Sequence, residues 1–580
     1  EEASGFNPKH EEELRIPNFI VGTKNSLILF VNASVFEELE SDQRRGEVIV
    51  EGQDARVTGL ACHPKQMRFA VVGYSGVLQL WDYGECVVLG ARKFDKLKGQ
   101  CLGFDPEGQY LAVGFTNGTL KLLSATTLDE VQSFRVSGGS ITDLTFSHDA
   151  QYLATADEDR CVALYRFTYR DEDDTKPVEW VFIGKHRSHS KAITGLQFSP
   201  SSPSLEENVE DLPRLLSVGE DHAIVEYDLQ NSFIKTGVKL KSRTKTELTA
   251  IPTGLLFSFG AIDESATPSI IVANSEYKLK VYGDDHRKCR RTVLGPTYGG
   301  PINRMIAMEC EDNRYVTFST MEKVIGVMKL PLDGNPSKTM GLIAHAGEVT
   351  SMVSSLDGRY LITAGGSDYS VFLWKVQPEA IEASIALGGD TLRPYLELIE
   401  GGPGGEFYDE IRNYFYYAQL RSQGEETTRQ RKIEGTVPIS QVPNLMRALG
   451  FYPTEHDIRD LISELEQSHP GGVDLPTLIR VYVNHRPVFG ISKADVRRAF
   501  ETIAKSGRGE LSVEDLFQVL QDEGEQMSSE EIQQCFQHLV GSDGGKAISL
   551  NQKIGPTDFA EKILGFEDYS QTTAEIETIQ

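Results

Sequence analysis

Apolar and polar positions alternate along the first two thirds of the chain in runs too short for helices. Val57-Thr-Gly-Leu-Ala-Cys-His-Pro, Arg68-Phe-Ala-Val-Val and Val77-Leu-Gln-Leu-Trp81 are apolar and β-branched stretches of four to six residues, broken by Gly, Asp, Asn and Pro. Ser140-Ile-Thr-Asp-Leu-Thr-Phe, Gln151-Tyr-Leu-Ala-Thr and Cys161-Val-Ala-Leu-Tyr165 repeat the plan. Such runs predict antiparallel strands. The third strand of each unit ends at Trp81, Leu123, Tyr165, Tyr227, Tyr282, Met328 and Trp374, at intervals of 42, 42, 62, 55, 46 and 46 residues. A repeat of ~40–45 residues is the period of a propeller blade, whose radial stacking leaves only short protected edges. The longer intervals hold polar insertions at 171–174 and 201–213. Leu27-Ile-Leu-Phe30 is a further copy whose first strand is not evident. The expectation is therefore a propeller over 16–376, with seven full blades and a partial first one, preceded by an arm at 1–15. The half-blade near Phe30, in a chain opening on Glu1, is expected to finish a blade begun upstream or to be completed by another segment.

Residues 377–406 change character. Gly388-Gly389, Arg393-Pro394 and Gly401-Gly-Pro-Gly-Gly405 predict a linker or hinge. From Phe407 the apolar period becomes that of a helix: Phe407, Ile411, Tyr414 and Phe415 share one face. Thr454, Ser492 and Ser528 each precede acidic residues and an apolar face, the pattern of a capped helix start. Residues 407–566 thus read as a string of helix–loop–helix units, followed by a tail at 567–580.

With 580 residues, 39% hydrophobic and 25% charged, the chain can bury a large core. A net charge of −27 argues against nucleic acid and anionic lipid as general partners. Residues 401–580 carry 17 basic and 29 acidic side chains, a balance of −12. The 7 Cys are irregularly spaced with no Cys-x-x-Cys, which suggests free thiols in a reducing compartment. No run of eighteen apolar residues spans a membrane. Gly544-Gly-Lys-Ala547 lacks the leading Gly and the hydroxyl of a phosphate-binding loop, and neither a Gly-x-Ser-x-Gly elbow nor a His-Glu-x-x-His helix occurs. No catalytic residue, metal site or cofactor is expected.

The repeat resembles that of WD-repeat proteins. Trp81-Asp82 is the one intact Trp-Asp pair and Tyr227-Asp228 a variant. His189 precedes Asp221, with Tyr227 six residues later; His345 precedes Asp368, with Trp374 six later. The resemblance implies that these His and Asp residues form a buried structural network rather than a catalytic one.

The helical region resembles a calmodulin-type EF-hand domain, most clearly from Leu445 to Leu465. A calcium loop needs oxygen ligands at positions 1, 3 and 5 and a bidentate acid at 12. Aligned by Gly435, loop one offers Gln430, Lys432, Glu434 and Gln441; loop two, aligned by Gly471, offers Glu466, Ser468, Pro470 and Thr477. Loop three, aligned by Gly509, offers Ala504, Ser506, Arg508 and Asp515, and the fourth region, near Asp543, is too long. The architecture is expected to persist without the ion. Leu445, Met446, Leu449, Phe451, Ile458, Leu461 and Ile462 either line a groove that holds a partner helix constitutively or form the domain's own core.

The combination closely resembles the WD-repeat, EF-hand-like subunit of the calmodulin- and spoke-associated complex, a cilia- and flagella-associated family of motile axonemes. The segments 392–400 and 407–420 and the stretch around Phe451 carry that likeness. It implies a non-catalytic scaffold in the axonemal cytoskeleton at the base of a radial spoke, the third by expectation. There it would link the spoke to the doublet microtubule and the nexin–dynein regulatory complex. Implied partners are calmodulin, the other subunits of the complex and spoke-base proteins, with tubulin a further candidate. The alternative is a calcium-responsive WD-repeat regulatory subunit of a cytosolic enzyme or signalling complex.

Overall fold

The computed structural model describes residues 18–22, 27–32, 47–168, 179–201, 212–262, 268–283, 286, 288–310, 313–388, 391–424, 430–433, 435–504, 510–540 and 553–564. The N-terminal arm, the insertions at 171–174 and 206–211, Glu434, Ser506, Arg508, Gly509, Asp543 and the C-terminal tail lie outside them.

Six antiparallel sheets of four strands follow one another along the chain, each a meander in sequence order. They begin at Val57–Cys62, Gly99–Phe104, Ile141–Phe146, Ile193–Phe198, Pro252–Phe259 and Ile302–Cys310. A seventh, from Val349–Ser354 through Tyr360–Gly365 to Val371–Lys375, has three strands among the described residues. The sequence places these strands where their side chains can be buried. Tyr152–Asp157, flanked by a strand on each side, is buried at every position. Val87–Lys93, the outermost strand of blade one, alternates exposed and half-buried residues. The partial unit around Phe30 is a sheet of three strands, Asn18–Gly22, Leu27–Asn32 and Glu47–Glu51.

One local irregularity closes the ring. Every innermost strand slips register after its first residue, at Thr58, Gln100, Thr142, Thr194, Thr253, Asn303 and Thr350. A bulge frees one residue from the ladder and re-aims its side chain. Thr58 Oγ1 donates to Gly99 O of the next blade at 2.8 Å, and Thr253 Oγ1 to Ile302 O at 2.5 Å. Thr350 Oγ1 donates to Val57 O at 2.8 Å across 293 residues of sequence, so blade seven meets blade one by the same contact that joins consecutive blades. Seven blades complete the propeller.

The helical region follows. Helix α1 (Pro378–Gly388) lies in the stretch expected as a linker and carries structure of its own. Its Ile381 is buried with Met308 and Tyr315, and Glu382 sits 2.7 Å from Lys329 Nζ. Then come α2 (Glu406–Ser422), α3 (Val442–Ala448), α4 (Glu455–Ser468) and α5 (Leu475–His485). The short strands Thr436–Val437 and Val473–Asp474 pair between them. α6 (Lys493–Ile503), α7 (Val513–Asp522) and α8 (Ser529–Val540) continue the plan, with Leu511–Ser512 paired to Lys553–Ile554.

Contacts divide the chain into two compact units. One holds residues 1–450 and 459–486, so the first helix–loop–helix pair belongs with the propeller. The other holds 451–458 and 487–580. In the second, Val496, Phe500, Leu511, Val513, Leu516 and Ile554 form the core. No helix among the described residues is long and apolar enough to cross a membrane.

Candidate interaction site

The structure brings each of the two His–Asp pairs within hydrogen-bond distance. His189 Nδ1 is 2.8 Å from Asp221 Oδ1 and its Nε2 is 2.7 Å from Ser217 Oγ, which is 2.8 Å from the Tyr227 hydroxyl. His345 Nδ1 is 2.9 Å from Asp368 Oδ2 and its Nε2 is 2.8 Å from Thr363 Oγ1, which accepts from Trp374 Nε1 at 2.9 Å. Burial holds His189 below the ordinary imidazole pKa. Burial works to raise Asp221, but the Ser190 N–H, His189 and the Arg243 guanidinium outweigh it and lower its pKa. An imidazole locked between a carboxylate and a hydroxyl pins a turn to a strand. Ser217 and Thr363 escaped the sequence reading. Each stands on the middle strand, ten and eleven residues before the aromatic, and strand pairing brings it under the imidazole.

Blade one builds the equivalent from other residues. Gln53 stands four residues before the inner strand, where His189 and His345 stand in theirs. It accepts from Ser75 Oγ at 2.8 Å and donates to Gln79 Oε1 at 3.2 Å. Trp81 Nε1 donates to that same oxygen at 3.3 Å, and its ring stacks on Phe69. Asp82 Oδ1 accepts the N–H groups of Gly84 and Glu85 in the turn that follows.

Among the described loop residues, most of the side chains expected at ligand positions are exposed or engaged in other bonds. Gln430 and Lys432 are exposed, and the backbone of Lys432 is tied to the Gln423 carboxamide. Gln441 precedes α3 without capping it. Glu466 is exposed, Ser468 Oγ donates back to Glu464 O, and the Thr477 N–H is taken by Asp474 at the start of α5. Ala504 is buried, and the Asp515 carboxylate accepts from Ser512 Oγ at 2.6 Å at the start of α7. Among the described residues no three His, Cys, Asp or Glu side chains converge as a metal site.

Of the seven expected groove residues, Leu445, Met446, Leu449, Ile458 and Leu461 are buried, and Phe451 and Ile462 are half-buried.

The sequence did not foreshadow what α4 and α5 cover. The outermost strand of blade five, Cys289–Leu294, presents N–H groups that no fifth strand takes up. Thr292 N–H donates to Glu464 Oε2 at 3.0 Å, and Leu294 N–H to Asn484 Oδ1 at 3.2 Å. An open strand edge invites pairing with another chain, and here side chains cap it. On the neighbouring strand Lys278 and Lys280 are both buried. Lys278 Nζ donates to the carbonyls of Asn484 and Arg486 at the C-terminus of α5, at 2.5 and 2.6 Å. A cation at a helix C-terminus meets the negative end of its dipole. Lys280 Nζ reaches Asp460 Oδ2 at 3.1 Å and Glu247 Oε2 at 3.4 Å. His485 Nε2 is 3.1 Å from Glu464 Oε2, and Asn484 Nδ2 donates to Asp333 O at 3.0 Å. Removing either partner of a buried ion pair strands a charge, which fixes the helical pair in one register on the blade.

Residues 406–564 match the family model described as CFAP251 C-terminal domain. Residues 334–375 match that of the WD domain, G-beta repeat, and 84–149 that of the anaphase-promoting complex subunit 4 WD40 domain. Among curated proteins, cilia- and flagella-associated protein 251 of Tetrahymena thermophila is 32% identical, over 98% of this chain and 63% of that protein. Its namesake from Pongo abelii is 36% identical, over 96% of this chain and 49% of that protein. The one from Chlamydomonas reinhardtii is 29% identical, over 97% and 58%. The chain thus spans 49 to 63% of the length of these three relatives.

Proposed function

Since the chain is homologous over nearly its whole length to cilia- and flagella-associated protein 251, we propose that it is a non-catalytic scaffold of the ciliary or flagellar axoneme. The observation that carries the proposal is the joint match of propeller and C-terminal domain to proteins of that name. The finer proposal places it in the calmodulin- and spoke-associated complex, at the base of the third radial spoke. There it would bridge spoke, doublet microtubule and nexin–dynein regulatory complex, with calmodulin and the other complex subunits as partners. The C-terminal region serves as an EF-hand-like module that no longer needs calcium.

The geometry suits such work. A scaffold between moving parts must hold its docking surfaces at fixed distances. Two buried lysines and a capped strand edge make the first helical pair one body with the propeller.

The test is to tag the full-length protein in a motile ciliated cell and follow it through isolation of axonemes. It should stay with the axoneme after membrane removal and co-purify with calmodulin and spoke-base subunits. Its loss should remove density at the base of one spoke of each repeat and impair beating. Release of the tagged protein with the membrane–matrix fraction would refute the scaffold. Axonemal retention without spoke subunits would refute only the finer assignment.

A further inference from the structure

Blade seven has three strands among the described residues, and its third, Val371–Lys375, pairs on one side only, with Tyr360–Gly365. In the other six blades a fourth strand pairs with the third. Burial records the difference. Leu373 stands one residue before Trp374, as Leu80, Leu122, Leu164 and Val281 stand before Trp81, Leu123, Tyr165 and Tyr282 in blades one, two, three and five. Those four are 0–2% exposed, whereas Leu373 is 39% exposed and its neighbour Phe372 41%. Beside the bare strand lies a cleft of ≈ 320 Å³, lined by Ile325, Met340 and Leu342 of blade six and by Leu361, Trp374 and Val376. Met340 and Leu342 belong to the outermost strand of blade six, Thr339–Ile343, and are exposed.

An open strand edge with an apolar trough beside it selects an extended chain. Main-chain groups pair with the edge, and alternate side chains enter the trough. Since a void of about 150 Å³ takes one benzene-sized group, this cleft has room for about two large apolar side chains. The chain's own strand at the right spacing is engaged elsewhere. In blades one to six the outermost strand ends six to eight residues before the next inner strand begins, as from Lys93 to Gly99 and from Leu294 to Ile302. Glu51 ends its strand six residues before Val57, so Glu47–Glu51 stands at the spacing of a fourth strand for blade seven. Yet it pairs with Leu27–Phe30, from Leu27 opposite Glu51 to Phe30 opposite Glu47. We propose that blade seven takes its fourth strand from a separate polypeptide, an extended segment with apolar side chains at two alternate positions and its main chain along Val371–Lys375. The edge belongs to the propeller, so this docking does not depend on the axonemal assignment.

Hydrogen exchange of the purified full-length protein, read by mass spectrometry, tests this. In the protein alone, amides 371–375 should exchange faster than those of Val324–Lys329, the covered third strand of blade six. The probe is an acetylated and amidated peptide copying residues 46–52, Gly-Glu-Val-Ile-Val-Glu-Gly, whose two valines share one face. It should give saturable protection of 371–375. Serine in place of both valines (Val48→Ser and Val50→Ser in the peptide) should remove that protection. Leu342→Glu and, separately, Met340→Glu put a carboxylate into the cleft from an exposed position. Each should weaken binding about tenfold or more with the unfolding midpoint unchanged. Slow exchange of 371–375 in the protein alone would show that a segment of its own chain already covers the edge, and would overturn the proposal. So would protection confined to Leu27–Asn32, equal binding of the serine peptide, or no saturable protection at all.

Discussion

Lys280 and Asp460 are 180 residues apart in sequence, yet the ammonium of one lies 3.1 Å from the carboxylate of the other. The lysine leaves a propeller strand and the aspartate leaves a helix. Both side chains are largely withdrawn from water, at 5% and 16% exposure, and Glu247 shares the same ammonium. Lys280→Met would leave two carboxylates facing each other without the cation between them. Stranding buried charge costs about 3–5 kcal/mol. The expected outcome is a loss at the low end of that range in chemical denaturation, because Asp460 keeps some access to solvent. A loss under ~1 kcal/mol would mean that the pair is hydrated and holds nothing.

Asn484 is fixed by a glycine. A Cβ on Gly334 would lie 1.9 Å from Asn484 Oδ1, and Gly334 has φ +83°. Gly334→Ala should therefore push away the amide that caps the Leu294 N–H and also strain its own backbone. We expect ~1–3 kcal/mol of destabilisation and faster hydrogen exchange at Leu294 than at Leu279, inside the same sheet. Equal exchange at both would show that the cap is dispensable.

Thiol accessibility reads the same contact. Cys289 is buried in the outermost strand of blade five, and burial pushes its thiol up to about 12; Cys101, buried in blade two, is raised as well. Cys86 is exposed. A disulfide reagent at neutral pH should label Cys86 first and leave Cys101 and Cys289 until unfolding, since the thiolate is the reactive form. In Lys280→Met, Cys289 should become reactive while Cys101 stays protected. Equal protection of Cys289 in the variant would place its burial within the blade alone.

His189 gives the blades a pH dependence of predictable sign. In the fold it is held neutral, below the free value of 6.5. Unfolded chains take up a proton below about that pH and the folded chain resists it, so stability contributed by the network is full above 6.5 and declines as pH falls. Asp221, lowered in the fold, adds a second loss in the same direction only below its free value of 3.8. The midpoint of thermal unfolding should drop between pH 7 and pH 5.5, and His189→Gln should flatten that slope while lowering the midpoint throughout. Parallel slopes in both proteins would assign the effect elsewhere.

Calcium separates the scaffold from a calcium-responsive subunit. The Asp515 carboxylate already accepts from the hydroxyl of Ser512, the residue that caps α7, and Gln441 and Thr477 stand where bidentate acids are needed. Calorimetry of the full chain should show no saturable heat up to millimolar calcium. A micromolar binding isotherm would restore the alternative function.

The repeat, its spacing and the two His–Asp pairs were legible because they depend on residues close in sequence and on one period. The alternation of strands, the aromatic six residues after Asp221 and Asp368, and the missing acids of the loops all sit within single blades or loops. Ser217 and Thr363 were within reach, since antiparallel pairing determines which hydroxyl lies beneath each imidazole. Gln53 was not, because a glutamine in the place of a histidine breaks the pattern being sought while keeping its hydrogen bonds.

By itself the sequence determined the fold class: strand period and helical caps follow from side-chain patterns that each element carries within itself, while the closure at seven blades came from the structure. Tertiary structure alone decided where the folded body ends. Lys278-Leu-Lys280 looks like any strand with two solvated lysines, and 455–486 like any helical pair. Only when α4 and α5 lie on blade five do those ammonium groups lose water, and a charge that loses water must find its partner wherever the chain has brought one. Desolvation is a property of the assembled surface, and no window of sequence contains it.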